Sequence, residues 1–154
     1  MLRDTIPGRR GGSGNFTQDS NGILLFYDNS RTRWISVTRQ FVSFGLKNRN
    51  ISDSRWMQVT GDAYSLNTGY RLPRNAILTS LTVQTQNNVS NCAFRLRRNG
   101  VASNIASLTL VGQDANTLDN LNVDLDAGDW LQVYLEITSG NVDHPELLLE
   151  LAWR

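Results

Sequence analysis

From about residue 22 onward, apolar and polar side chains alternate with a period of two. Residues 22–28 (GILLFYD) and 33–45 (RWISVTRQFVSFG) read as strands on either side of the turn DNSRT, and RWMQVTG (55–61) reads as a short strand. In NAILTSLTVQTQ (75–86) the alternation places Ile77, Thr79, Leu81 and Val83 on one face. In NCAFRLRRNG (91–100) it turns Cys92, Phe94 and Leu96 one way and Arg95 and Arg97 the other. Asn99 and Gly100 tolerate positive φ and suit a two-residue hairpin turn, with SNIASLTLV (103–111) as the returning strand. Further on, Leu121, Val123 and Leu125 are predicted to be buried, with Asn122, Asp124 and Asp126 exposed. Leu131, Val133, Leu135 and Ile137 form the next buried set. PELLLELAWR (145–154) closes the pattern, with Leu147, Leu149, Leu151 and Trp153 on one face, and this last strand is expected to sit centrally or in an interface.

The pattern holds eight to nine strands and no helical stretch. Short alternating strands separated by turn residues indicate an all-β sandwich or barrel. Residues 1–22 do not share this periodicity. The stretch MLRDTIPGRRGGSGNFTQDSNG is polar and Gly-rich, so by itself it cannot offset its ordering entropy by burial. The expected organisation is an extended N-terminal arm over 1–22 followed by a single β-domain over 23–154, and a chain of 154 residues is long enough to bury a substantial core.

Charge adds an asymmetry that the net value of +1 conceals. Residues 1–100 carry 14 Lys/Arg against 5 Asp/Glu, and residues 101–154 carry 1 against 9. Two readings stay open: basic and acidic strands side by side in one sheet and paired across it, or two faces of opposite sign that dock onto neighbouring subunits. The arginines are scattered and the sequence pI is about 7.9, which argues against a nucleic-acid footprint. There is no run of 18 apolar residues and no apolar leader, so neither a membrane partner nor a secretory signal is expected. The single Cys92 excludes an internal disulfide and reads as a small buried hydrophobe.

The candidate chemistries fall away in turn. The only histidine, His144, lies in a turn beside Pro145, so neither a hydrolytic triad nor structural zinc ligation can be assembled. An EF-hand loop starting at Asp124 would need Asp or Asn where Gly128 stands and Glu where Leu135 stands. PGRRGGSG lacks the GK[ST] of a phosphate loop and has no flanking strand and helix. No catalytic residue, metal or cofactor is expected. The aromatics Trp130 and Tyr134 fall opposite Leu131 and Val133, on a second face that either packs within the domain or meets another subunit.

NVDLDAGDWLQVYLEI resembles the strand–GD–strand signature of trimeric jelly-roll heads related to complement and tumour-necrosis-factor folds. LLFYDNSRTRWISVTRQFVSFG, NTGYRLPRNAILTSLTVQT and LLLELAWR resemble bacteriophage virion proteins that occur as head-decoration (cement) proteins or as C-terminal heads of tail fibres. This resemblance spans roughly residues 23–154. It implies a homotrimeric jelly roll of about eight antiparallel strands, without enzymatic activity, located in the virion. A fibre head would be expected to follow a shaft, whereas only about twenty irregular residues precede this domain. That favours a cement protein on the capsid exterior, with the major capsid protein as its partner, over a tail-fibre or glycan-binding head. On this reading Arg3, Arg9, Arg10 and Phe16 anchor the arm to the shell, and Trp130, Tyr134 and Trp153 form the trimer contact.

Overall fold

The computed structural model of the chain describes residues 16–47, 50–59, 62–63 and 67–154, and every regular element within them is a β-strand. In chain order the first are β1 (Phe16–Gln18), β2 (Leu24–Asp28), β3 (Arg33–Ser36), β4 (Arg39–Gly45) and β5 (Arg55–Trp56). There follow β6 (Gln58–Val59), β7 (Asp62–Ala63), β8 (Tyr70–Arg71), β9 (Ala76–Val89) and β10 (Asn91–Arg98). The last are β11 (Asn104–Leu110), β12 (Gln113–Leu118), β13 (Val123–Leu125), β14 (Trp130–Ser139) and β15 (Glu146–Trp153).

Two antiparallel sheets form the sandwich, an all-β architecture consistent with a jelly roll. The larger runs β12-β9-β15-β4-β6-β7, with β13 also on β9. The smaller runs β11-β10-β14-β5, with β8 also on β14. Their facing sides supply the core: Phe44, Leu81, Leu149 and Leu151 from one sheet, and Phe94, Leu96, Leu131 and Val133 from the other, all fully buried. β15 lies between β9 and β4, so the closing strand is central, one of the two placements expected for it. The hairpin signal is also realised: Asn99 and Gly100 have φ of 56° and 70°, the double positive value that a two-residue turn requires.

The pattern is modified in three places. Residues 33–45 form two strands rather than one. Ser36 ends β3 by donating its hydroxyl to the Thr38 carbonyl (2.6 Å) and accepting the Trp153 amide (2.8 Å), so β3 joins β1 and β2 in a separate three-stranded sheet. RWMQVTG is divided between the sheets, with Trp56 opposite Tyr134 in one and Gln58 opposite Gly45 in the other. Finally, Thr79 sits in a β-bulge: Glu150 faces Ser80, but Leu151 faces Leu78. The extra residue inverts the alternation. Leu81 and Val83 keep the core face, Leu78 enters it, and Ile77 turns outward to pack with Ile35 and Ala152.

β1 lies within the stretch read as arm. Its pairing of Phe16–Gln18 with β2 needs no apolar periodicity, because a turn holds the two strands together: the Asp19 carboxylate accepts the Asn21 and Ile23 amides, at 2.9 and 2.7 Å. β12 (QDANTL) is almost wholly exposed and polar. It gave no strand signal, and it shields one edge of the larger sheet from further pairing.

Cys92 is buried in the core, and desolvation pushes its thiol up to about 11 from an ordinary 9.0. Between those values the unfolded chain loses a proton that the folded one keeps. Stability therefore falls as pH rises above about 9, by up to ~1.4 kcal/mol per pH unit. At pH 8 Cys92 is expected to resist a thiol reagent in the native protein and to react fully in denaturant. Rapid labelling without denaturant would contradict the burial.

Candidate functional site

Of the residues assigned to the arm, Arg3, Arg9 and Arg10 lie outside the described residues. Phe16 opens β1 opposite Phe26 and is 55% exposed. Besides Arg33–Asp124, the Ser36–Trp153 hydrogen bond and the packing of Ile35, the sheet it belongs to meets the sandwich through the partly desolvated guanidinium of Arg31. Arg31 pairs with Asp28 at 2.6 Å, donates to the Leu121 carbonyl at 2.7 Å and reaches the Thr79 carbonyl at 3.3 Å. Burial raises the Asp28 pKa, but hydrogen bonds from Ser30 and Arg31 outweigh it and hold the carboxyl below its ordinary 3.8.

The three aromatics assigned to a trimer contact do not share one surface. Trp130 and Tyr134 stand on the outer face of β14, opposite the buried Leu131, Val133 and Leu135. Trp153 closes β15 in the other sheet, where it packs against the core beneath Arg74, 5.5 Å from the ring centre. The cluster on the smaller sheet is denser than the sequence indicates. Arg97 lies over both Tyr134 (5.0 Å) and Trp56 (5.4 Å), and these rings meet edge-on at 5.0 Å. Arg71 covers Trp130 at 5.4 Å. Alternation turns Arg95 and Arg97 outward on one strand and Tyr134 outward on another, and the β10–β14 pairing brings them onto one face. The arrival of Trp56 and Arg71 depends on strands β5 and β8, two residues each, whose pairing no local pattern announces.

Gly69 brings the β8 approach close against β14. A Cβ on Gly69 would lie 2.8 Å from Gln132 Cγ and 2.9 Å from Trp130 Cδ1, so only glycine fits. Gln132 is consequently buried although it points away from the core, and it accepts the Gly100 amide at 3.0 Å.

Part of the charge asymmetry resolves into ion pairs between the two parts of the chain. Arg33 meets Asp124, Arg39 meets Glu150 (3.3 Å), Arg95 meets Glu136, and Arg98 meets Asp129 (3.5 Å). Each pair joins the basic first part of the chain to its acidic end. Arg154 adds contacts to Asp124 (3.7 Å) and Asp126 (2.9 Å). Because these pairs are partly exposed, they fix register more than they add stability.

A concave feature of the larger sheet was not legible from the sequence. A groove of about 890 Å3 runs along β4 and is lined by Phe41, Ser43, Leu46, Val59, Tyr70 and Glu146, among others. Phe41 is 54% exposed beside it, and Leu148 is half-exposed on the adjacent strand. The consecutive apolar pair Phe41–Val42 was the available signal, since a strand with one buried face can hide only one of them. His144, at the groove wall, has a φ of 46°.

No family model and no curated protein matches the chain. Among solved structures, a chain of tomato aspermy virus determined by X-ray crystallography is similar over 75% of this chain and 78% of that one, with 12% sequence identity and a TM-score of 0.42.

Proposed function

We propose that this chain is a virion structural protein of the head-decoration type, a homotrimer on the capsid exterior that clamps neighbouring major capsid protein subunits through its N-terminal arms. The observation carrying this reading is how the arm is rooted. The basic, Gly-rich stretch ahead of Phe16 runs straight into β1, an edge strand of a small sheet held to the sandwich by Arg31. Its fifteen residues can span about 50 Å when extended, enough to leave one subunit and reach the next. Arg3, Arg9 and Arg10 would meet acidic or carbonyl-rich shell surface, and the exposed Phe16 ring would enter an apolar pocket. Ordering the arm costs about 1–2 kcal/mol per residue. Three arms per trimer offset this, because the second and third bind at high effective concentration.

Deleting residues 1–16 tests the reading. The sandwich should still fold, since only one residue of β1 is lost, while co-sedimentation with expanded capsids should fall at least ~10-fold through loss of multivalent contact. Wild-type co-sedimentation after the deletion would sink the arm mechanism. Recovery of the protein with tails in a few copies, rather than with capsids in hundreds, would favour the tail-fibre reading instead.

A further inference from the structure

We propose that the Asn21–Gly22 turn between β1 and β2 is a self-modifying site: it deamidates in the folded protein, and the product loosens β1. The chain holds two Asn-Gly pairs, Asn21–Gly22 and Asn99–Gly100. Asparagine cyclises most readily before glycine, whose amide is unhindered and whose backbone can take the conformation that ring closure needs. The glycine amide nitrogen attacks the asparagine side-chain carbon Cγ. A C–N bond forms and closes a five-membered succinimide, the Cγ–Nδ2 bond breaks, and ammonia leaves with the glycine amide proton. Water then opens the ring at either carbonyl. One product is aspartate; the other is isoaspartate, with the main chain rerouted through the side-chain carbon.

Both asparagines are exposed, so access of water does not separate the two turns; hydrogen bonding does. At Asn99, Nδ2 donates to the Asp129 carboxylate at 2.6 Å and Oδ1 accepts the Trp130 amide at 2.9 Å. The attacking nitrogen is held as well: the Gly100 amide donates at 3.0 Å to Oε1 of the fully buried Gln132. Ring closure there must break all three bonds and take that donor from a buried oxygen. Asn21 has no such lock. Among the described residues its side chain makes one hydrogen bond, from Nδ2 to Asp19, at a long 3.4 Å. The exposed Gly22 amide donates to the Asp19 carbonyl at 3.1 Å.

The product acts on the turn that fastens β1. The Asp19 carboxylate accepts the Asn21 and Ile23 amides, the Asp19 amide donates to the Ile23 carbonyl at 3.0 Å, and Gln18 Nε2 donates to the Gly22 carbonyl at 2.9 Å. Isoaspartate inserts a main-chain atom between residues 21 and 22, which shifts Gly22 and Ile23 away from these partners. It also sets a second carboxylate beside that of Asp19. β1 is three residues long and, among the described residues, pairs with β2 alone, so the turn carries much of its hold. The first fifteen residues of the chain join the domain through β1, and loosening it releases their root whatever partner they meet.

The test uses the isolated full-length protein, so its outcome is separate from that of capsid binding. The protein is aged at pH 8, where loss of the glycine amide proton speeds ring closure, and both sites are followed by peptide mass mapping. Asn21 should deamidate at least ~10-fold faster than Asn99 in the native protein. In urea the two rates should converge, because the lock on Asn99 belongs to the fold. Asn21→Gln should abolish the early release of ammonia, since glutamine would have to close a six-membered ring. In the isoaspartate fraction, β1 amides should exchange hydrogen at least ~10-fold faster than in fresh protein, with β9 and β15 unchanged. Asn21→Asp adds the charge without the extra main-chain atom and should speed them less. Equal native rates, a faster Asn99, or a difference that persists in urea would overturn the assignment of the site. Unchanged β1 exchange in the isoaspartate fraction would overturn its effect on the strand.

Discussion

An Arg31→Met variant is expected to lose about 3–5 kcal/mol of folding stability, measured by urea denaturation. Among the described residues the arginine is the only charged partner of Asp28, and both side chains are about nine-tenths buried. Removing it strands a carboxylate in low dielectric and also leaves the Leu121 and Thr79 carbonyls without the guanidinium donors they now accept. The damage should centre on the three-stranded sheet, since Arg31 joins that sheet's turn to the β9 and β13 region. Replacing both partners, as Asp28→Asn with Arg31→Met, should recover part of the loss by removing the uncompensated charge. The pH dependence provides a second check. The folded pKa of Asp28 lies below its unfolded value of about 3.8. Its contribution is therefore fully present above that pH and is lost as pH falls through the folded pKa. Wild-type protein should show this acid loss and Arg31→Met should not. A single-variant effect below ~1 kcal/mol would show that the ion pair does not fasten the sheet.

Phe94→Ala is expected to cost about 3–5 kcal/mol, and roughly 10 °C in melting temperature for a domain of this size. Phe94 is fully buried at the middle of β10, between Leu108 on β11 and Leu135 on β14, and its ring faces the larger sheet across the core. Strands on both sides pin the backbone, so the cavity cannot close by local collapse. Phe41→Ala supplies the contrast. That ring is 54% exposed on the outer face, and its removal should change stability by less than ~0.5 kcal/mol. A comparable loss at both positions would mean that Phe41 is covered in the free protein.

Much of the fold was legible because a half-buried strand carries its own signature. Leu131, Val133 and Leu135, Cys92, Phe94 and Leu96, and Leu147, Leu149 and Leu151 all take the core positions that alternation assigns them. The turn at Asn99–Gly100 follows from local φ preference alone. The candidate surfaces were less legible. Tyr134 and Arg97 could each be placed on the outward side of its own strand, but they meet only through the β10–β14 pairing, Trp56 reaches them only through a two-residue pairing, and strand order alone assigns Trp153 and Trp130 to different sheets.

The sequence by itself determined the class of fold and the faces of most of its long strands, because these depend on period-two burial and on local backbone chemistry. The tertiary structure alone decided what depends on pairing between distant segments. It showed that a bulge at Thr79 reverses the face of Ile77, that basic residues of the first part pair with acidic residues of the last, and that a groove runs along β4. Strand order and register are properties of partners brought together from far apart in the chain, and alternation along one strand is the same whichever neighbour lies beside it.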